Sequence, residues 1–291
     1  MISVVQLGTL DYATGLSLQQ QLVSLRKEGK IGDVLLLLEH APVITLGRNA
    51  TASNVIASQE VLAQRGVELF DCDRGGDVTF HGPGQIVGYP IFDLRGFSAT
   101  DPKRKTLGVI EFVRRLEEVL IRTCADYAIP TKRISGLTGA WTDPEIAHVG
   151  ADAFVRPVEQ RSTKNAESSK YSQLDSHPAE AKLAAIGVHI SRFVTSHGFA
   201  LNVNTDLRFF NLIVPCGITS KPVTSMQKEL GRELDLNSVA ESISRNFGVV
   251  FQSQILWVDT LDALLGRTVG VPLKTPSEFL RMHGADDTVI V

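Results

Sequence analysis

Apolar positions along the chain fall into two periods. Between Asp11 and Gly29, Tyr12, Leu18, Leu22 and Leu25 recur at helical spacing, with Asp11 placed as an N-cap. Val34–Leu38 is uninterrupted and strand-sized, as expected of a strand buried on both faces, and VITLG after Pro42 reads as its neighbour. RGVELFDCD (65–73) alternates and reads as a strand running into a glycine-rich stretch, after which QIVGYPIFDL resumes strand character with Pro90 near a bend. Residues 107–127 give the clearest helix, with Phe112, Val113, Leu116, Val119, Leu120 and Cys124 on one face. Residues 182–204 predict a hairpin: Ile186, Val188 and Ile190 alternate, and so do Phe199, Leu201 and Val203. NLIVPCGI ends an apolar run at Cys216. Residues 237–247 predict a further helix, capped by Asn237, with Val239, Ala240, Ile243 and Phe247 inward.

Strands and helices are mixed without strict alternation. The expected fold class is α/β of the α+β type, a mixed sheet flanked by helices rather than a doubly wound parallel sheet. The stretch 156–180 is polar, mixed in charge and poor in large aliphatics, so it reads as a long or disordered loop. The domain reading is one catalytic unit over residues 1–250, with a polar insertion at about 142–181, and an appendage over 251–291 carrying Leu256, Trp257, Leu264 and Leu265.

Composition narrows the function classes. The chain has 291 residues, 43% of them hydrophobic, enough for a sizeable core. A net charge of −3 gives no global field that attracts nucleic acid or an anionic membrane, so neither is expected as a partner. The three cysteines, Cys72, Cys124 and Cys216, form no disulfide framework, CxxC or zinc-type spacing. No metal is expected. MISVVQLGTLDYATG lacks the basic and apolar regions of a secretory signal and the Arg-rich pattern of a mitochondrial presequence, and no apolar run reaches the length of a membrane span, so a cytoplasmic location is expected.

Three places carry possible chemistry. RGGDVTFHGPGQ (74–85) holds four glycines around His81 and follows a predicted strand. Glycine exposes backbone N–H groups and permits close approach to a ligand. The stretch matches neither nucleotide fingerprint, GxGxxG nor GxxxxGK[ST]. By composition, a tight turn and a binding site remain equally open. Cys216 lies between Pro215 and Gly217, a setting that presents a thiol, although a buried cysteine is more often a small hydrophobe. Cys124 reads as core and Cys72 as structural. Lys182 opens a small, apolar strand; a desolvated lysine can act as a base or hold a thiolate, whereas most such lysines are solvated strand ends. His189 and His197 read as structural. Ser225–Lys228 fits SxxK but lacks the motifs that would support it.

Several segments together, LGTLDYATGLSLQQ, LLLLEHAPVITLGR, RGGDVTFHGPGQIVGYPIFDL, GLTGAW, AIGVHIS, TSHGFALNVNTDL and IVPCGI, resemble the lipoyl(octanoyl) transferases over roughly residues 5–141 and 182–230. The resemblance implies a fold like the catalytic domains of biotin ligases and lipoate-protein ligases. It implies transfer of an octanoyl group from acyl carrier protein to a lysine of lipoate-dependent enzyme subunits, namely the lipoyl domains of 2-oxoacid dehydrogenase complexes and the glycine cleavage H protein. No cofactor is implied beyond the donor's own phosphopantetheine. By position, Cys216 matches the family's acyl-accepting cysteine and Lys182 its catalytic lysine. Arg74, Gly75, Gly76, Asp77, Val78, Thr79, Phe80 and His81 match a segment lining the acyl pocket. Ala185, Ile186 and Gly187 match a second such segment, and Gly198, Phe199 and Ala200 a third. His81 is expected to position rather than to act as a base. The basic runs Arg26–Lys30, Lys103–Lys105 and Lys132–Arg133 are candidates for docking the acidic carrier. The long polar spacing between Trp141 and Lys182 departs from the family pattern. An ATP-dependent lipoate or octanoate ligase of the same fold is the alternative reading.

Overall fold

The computed structural model describes residues 1–101, 103–145, 180–218 and 220–265, and the backbone of 288–290. The polar stretch read over 156–180 lies outside the described residues except for Glu180, as does 266–287 of the tail. Chain order begins with β1 (Ile2–Leu10), α1 (Tyr12–Lys27), β2 (Asp33–His40) and β3 (Val43–Leu46), then α2 (Gln59–Gln64), β4 (Glu68–Asp71), β5 (Val78–His81) and β6 (Gln85–Ile91). It continues with α3 (Val109–Asp126), β7 (Thr131–Ile134), β8 (Leu137–Thr142), β9 (Lys182–Ser191) and β10 (Val194–Asn202). It closes with α4 (Met226–Leu230), α5 (Leu236–Val250), β11 (Ile255–Trp257), α6 (Leu261–Leu264) and β12 (Thr288–Ile290).

The larger sheet runs β11-β1-β2-β6-β10-β9-β8-β7, with β12 beside β9. β1 is parallel to β2 and β11, and the pairings from β2 through β7 are antiparallel, so the sheet is mixed, as the irregular alternation of elements predicts. Residues 255–257 of the tail are an edge strand of this sheet. A second, three-stranded sheet has the order β4-β3-β5.

Two local expectations are corrected. VITLG does not neighbour Val34–Leu38: β2 pairs with β1 and β6, while β3 belongs to the small sheet. The reason lies at the end of β2. His40 Nδ1 bonds Leu10 O at 3.0 Å, Nε2 bonds the Tyr89 hydroxyl at 2.6 Å, and Ala41 N donates to Leu10 O, so the chain is pinned there and turns away. The last long helix starts earlier than read. Asp235, not Asn237, is its cap, accepting from Ser238 N at 3.0 Å, while Asn237 accepts from Gln6.

α3 and α5 cover one face of the large sheet over a core that includes Phe92, Phe112, Phe199, Phe247 and Phe251. These rings contact one another edge-on or stacked, and fully burying each side chain contributes about 1.5–3 kcal/mol. α1, capped by Asp11 through Thr14 N at 2.8 Å, covers part of the other face with Leu18 and Leu22. The small sheet lies over the same face and has its own core of Ile44, Val78, Phe80, Phe210 and Leu212. β9 and β10 are joined by the two-residue turn Arg192–Phe193, both residues left-handed with φ of 49° and 68°, the hand that suits the twist of a hairpin. Among the described residues, no helix is long and apolar enough to cross a membrane.

Candidate active site

Between the two sheets runs a cavity of about 400 Å³. Lys182 and Cys216 stand together at one part of its wall, with Lys182 Nζ 3.1 Å from Cys216 Sγ. Lys182 is buried at 9% exposure, and its Nζ lies 5.1 Å from the centroid of the Trp141 ring, within cation–π range. The backbone of Lys182 is held as firmly as its side chain. Its N–H donates to Pro222 O at 2.8 Å and its carbonyl accepts from Thr224 N at 3.0 Å.

Cys216 sits in a tight turn with φ 54° and ψ 23°, a left-handed conformation unusual outside glycine. The turn is fixed on both sides: Val214 N donates to Asn54 O at 2.7 Å, Gly217 N to Val214 O at 3.1 Å and Ile218 N to Pro215 O at 3.0 Å. Such strain persists only where the surroundings over-determine it, and it commonly marks a functional position.

The RGG segment forms the roof. Arg74 is a buried clamp: its guanidinium donates to Thr45 O at 2.7 Å, to Thr45 Oγ1, to Gly75 O and to Asp77 O at 2.7 Å. Asp77 accepts from Thr51 N, Val78 N and the Asn54 amide, tying the roof to the loop that also holds Val214. Gly75 N donates to Val188 O, and a Cβ on Gly187 would stand 2.6 Å from Gly75 O. The roof lies on β9 at a distance that only glycine at 187 permits.

At the back wall of the groove lies a buried polar network. His81 Nδ1 is 2.7 Å from Gln85 Oε1, and Gln85 Nε2 donates to Phe80 O and Asn202 Oδ1, so the histidine is the donor to Oε1. Burial, with His40 and Arg74 nearby, pushes His81 down to about 3, so the ring is neutral at pH 7 and takes no proton there. Burial likewise lowers His40 to about 4. Tyr12 stacks on the His81 ring, and its hydroxyl is raised well above its ordinary value by burial. Asp73 accepts from His189 Nδ1 and from His197 Nε2, the latter at 2.7 Å. Burial raises its carboxyl, but these two hydrogen bonds outweigh that and hold it well below the usual range.

The cavity is lined by Arg74, Gly76, Asp77, Thr79 and His81 from the first predicted segment, and by Ala185–Gly187 and Gly198–Ala200 from the others. Three residues of the first segment do not line it. Val78 and Phe80 lie on the opposite face of β5, in the core of the small sheet, because strand residues alternate sides. Gly75 packs by its carbonyl on Gly187. Ile186 and Phe199 border the groove but pack their side chains against the aromatic core. Lining residues that sequence reasoning missed include Tyr12, Val87, Tyr89 and Thr138. Tyr12, Val87 and Tyr89 read as ordinary core, with no signal beyond their apolar character. Ser225 caps α4 through Lys228 N at 3.2 Å, which accounts for the SxxK pattern. Cys124 is core, its thiol pushed up to about 12 by burial. In the basic runs, Arg26, Lys30, Lys132 and Arg133 are engaged in ion pairs with Asp33, Glu28, Glu180 and Glu118.

Comparison with known proteins places this chain among relatives. The family described as lipoyl protein ligase A/B catalytic domain matches residues 11–248. An octanoyltransferase of Koribacter versatilis is 55% identical over 286 residues, 98% of each chain. One of Acidobacterium capsulatum is 50% identical over 267 residues, 91% of this chain and 96% of the relative. Among solved structures, a bipartite lipoate protein ligase system of Thermoplasma acidophilum superposes with a TM-score of 0.60 at 14% identity, covering 91% of each chain. Lipoate-protein ligase A bound with ATP superposes with a TM-score of 0.57 at 13% identity, covering 91% of this chain and 92% of that one. At these identities the two structures establish the fold alone.

Proposed function

The chain belongs to the lipoyl protein ligase A/B catalytic-domain family, and on that premise we propose that it is an octanoyltransferase working through a thioester on Cys216. The acyl donor is octanoyl-acyl carrier protein, and the acceptor is a lysine of a lipoyl-domain protein. The observation that carries the mechanism is the 3.1 Å contact between Lys182 Nζ and Cys216 Sγ beside the groove. Splitting the transfer at a cysteine gives two acyl steps.

In the first, the Cys216 thiolate, facing the Lys182 ammonium, attacks the donor carbonyl. The Cys216 S–C bond forms as the donor C–S bond breaks, and the departing thiolate takes a proton from Lys182. In the second, the now neutral Lys182 amine takes a proton from the acceptor ammonium. The acceptor nitrogen attacks the acyl-cysteine, Cys216 leaves as thiolate, and one further proton passes to solvent. A thioester becomes an amide, so no ATP and no resident cofactor is required. Burying the tail stabilises the acyl-enzyme by about 0.8 kcal/mol per methylene.

The test is incubation with octanoyl-acyl carrier protein without ATP, followed by intact mass measurement. The expected result is an octanoyl adduct that hydroxylamine removes and that Cys216→Ala abolishes. An adduct that persists in Cys216→Ala, or that forms only with ATP, would favour the ligase alternative or another nucleophile.

A further inference from the structure

The floor of the groove changes character across the sheet, and the change falls at one strand. Ala185 of β9, Ala200 of β10 and Val87 of β6 are successive cross-strand partners, and the next partner is Leu38 of β2. Along this row the side chains grow from methyl through isopropyl to isobutyl. In the adjacent row, Gly187 pairs with Gly198, while on β6 Tyr89 stands opposite Leu36. Both rows are nearly bare on β9 and β10 and filled from β6 onward. Leu36 and Leu38 lie under Leu18 and Leu22 of α1. Tyr89 is fixed by His40, and Tyr12 stacks on His81 at the same end. Val87 is 1% exposed although it lines the cavity. Its branched side chain has little rotamer freedom to swing aside.

We infer that Val87 is the stop that sets acyl-chain length, and that the bare strands β9 and β10 in front of it measure an eight-carbon chain. This rests on the octanoyl-transfer reading above. Lys182 opens β9 three residues before Ala185, but its side chain runs forward along the strand: a Cβ on Gly139 would stand 2.4 Å from Ala184 O and 3.2 Å from Lys182 Cε, so Lys182 Nζ and the Cys216 thiol it contacts anchor the acyl carbon at the β9 side of the row. Strands lie about 4.8 Å apart, which places β6 roughly 10 Å from β9. With C–C bonds of about 1.5 Å, an extended chain from C2 to C8 advances roughly 8 Å. A chain lying across β9 and β10 therefore brings its terminal methyl to Val87, and two further methylenes have no space.

The experiment offers the protein a mixture of six-, eight-, ten- and twelve-carbon acyl thioesters on acyl carrier protein and reads their ratio on Cys216 by intact mass. The wild type is expected to favour eight carbons. Val87→Ala is expected to raise the ten-to-eight ratio roughly tenfold, the equivalent of two more buried methylenes. Ala200→Val, which fills the row one strand earlier, is expected to raise the six-to-eight ratio by a similar factor and does not depend on a vacated core position. A ratio within a protein is insensitive to its overall stability. Unchanged ratios in both variants, or a wild type that takes twelve carbons as readily as eight, would overturn the inference. A wild type that forms no acyl adduct at any length would instead remove the functional reading on which it rests.

Discussion

On one face of β10, Phe199 and Leu201 are packed into a core with Phe247, Phe251 and Phe92. On the other, Gly198 and Ala200 carry almost no side chain and line the groove. The same strand thus holds part of a packed aromatic core on one side and a bare floor on the other. The difference teaches that an empty groove needs a rigid back wall: an unfilled surface would collapse unless the sheet were fixed from behind. The aromatic core supplies stability, and the glycine face supplies room.

The comparison can be broken from either side. Phe199→Ala is expected to lose about 3–5 kcal/mol of stability, measured by denaturant unfolding, because it empties a core position. Its effect on acyl-length preference should be small; a changed preference at unchanged stability would show that the two faces are not separate. Gly187→Ala is expected to cost less, about 1–3 kcal/mol, yet to slow acylation of Cys216 at least tenfold. Its Cβ meets Gly75 O and lifts the roof. Normal acylation with the extra methyl in place would remove the argument for close approach.

A pH series separates the faces by charge. His40 and His81, at the back wall of the groove, have folded values near 4 and 3, below the ordinary 6.5. Their contribution to stability is present above pH 6.5 and lost as pH falls toward those values, because the unfolded chain then binds protons that the folded chain refuses. Each is expected to cost about 1.4 kcal/mol per pH unit in that window. Melting temperature should fall from pH 6.5 to 4.5, and His40→Asn should flatten the fall; equal slopes in both proteins would exclude His40 as a source. The smallest expected effect is at Cys216, the proposed nucleophile. Cys216→Gly should be about 1 kcal/mol more stable than Cys216→Ala by thermal unfolding, because glycine adopts φ 54° without strain. Equal midpoints would show that the turn stores nothing.

Periodic segments were readable in advance. The faces of α3, the β9–β10 hairpin and the mixed sheet follow from spacing alone. What was lost depends on distance in space. Adjacency in the chain predicts β3 beside β2, whereas the imidazole of His40 turns the chain elsewhere. VTFH does not stand out as a strand because glycines flank it, and the alternation that sends Val78 and Phe80 away from the groove is hidden with it. Val87 and Tyr89 give no signal as site residues, because QIVGYPI reads only as a strand with Pro90 near a bend. The contact between Lys182 and Cys216 cannot be read from spacing; the residue types and the family resemblance pointed to both, and the fold brought them together.

The clasp on the Lys182 backbone has a consequence for kinetics. In sequence the lysine and the cysteine are 34 residues apart. Because Lys182 N–H is bonded to Pro222 O, the path from thiol to amine through the fold crosses only the stretch from Cys216 to Pro222. The closure entropy of the long route is settled when the chain folds, and the short route spans few residues. In the proposed mechanism the amine is therefore held at the thiol at high effective molarity throughout turnover. Loosening that clasp, even with both side chains intact, would amount to diluting one proposed catalytic group from the other.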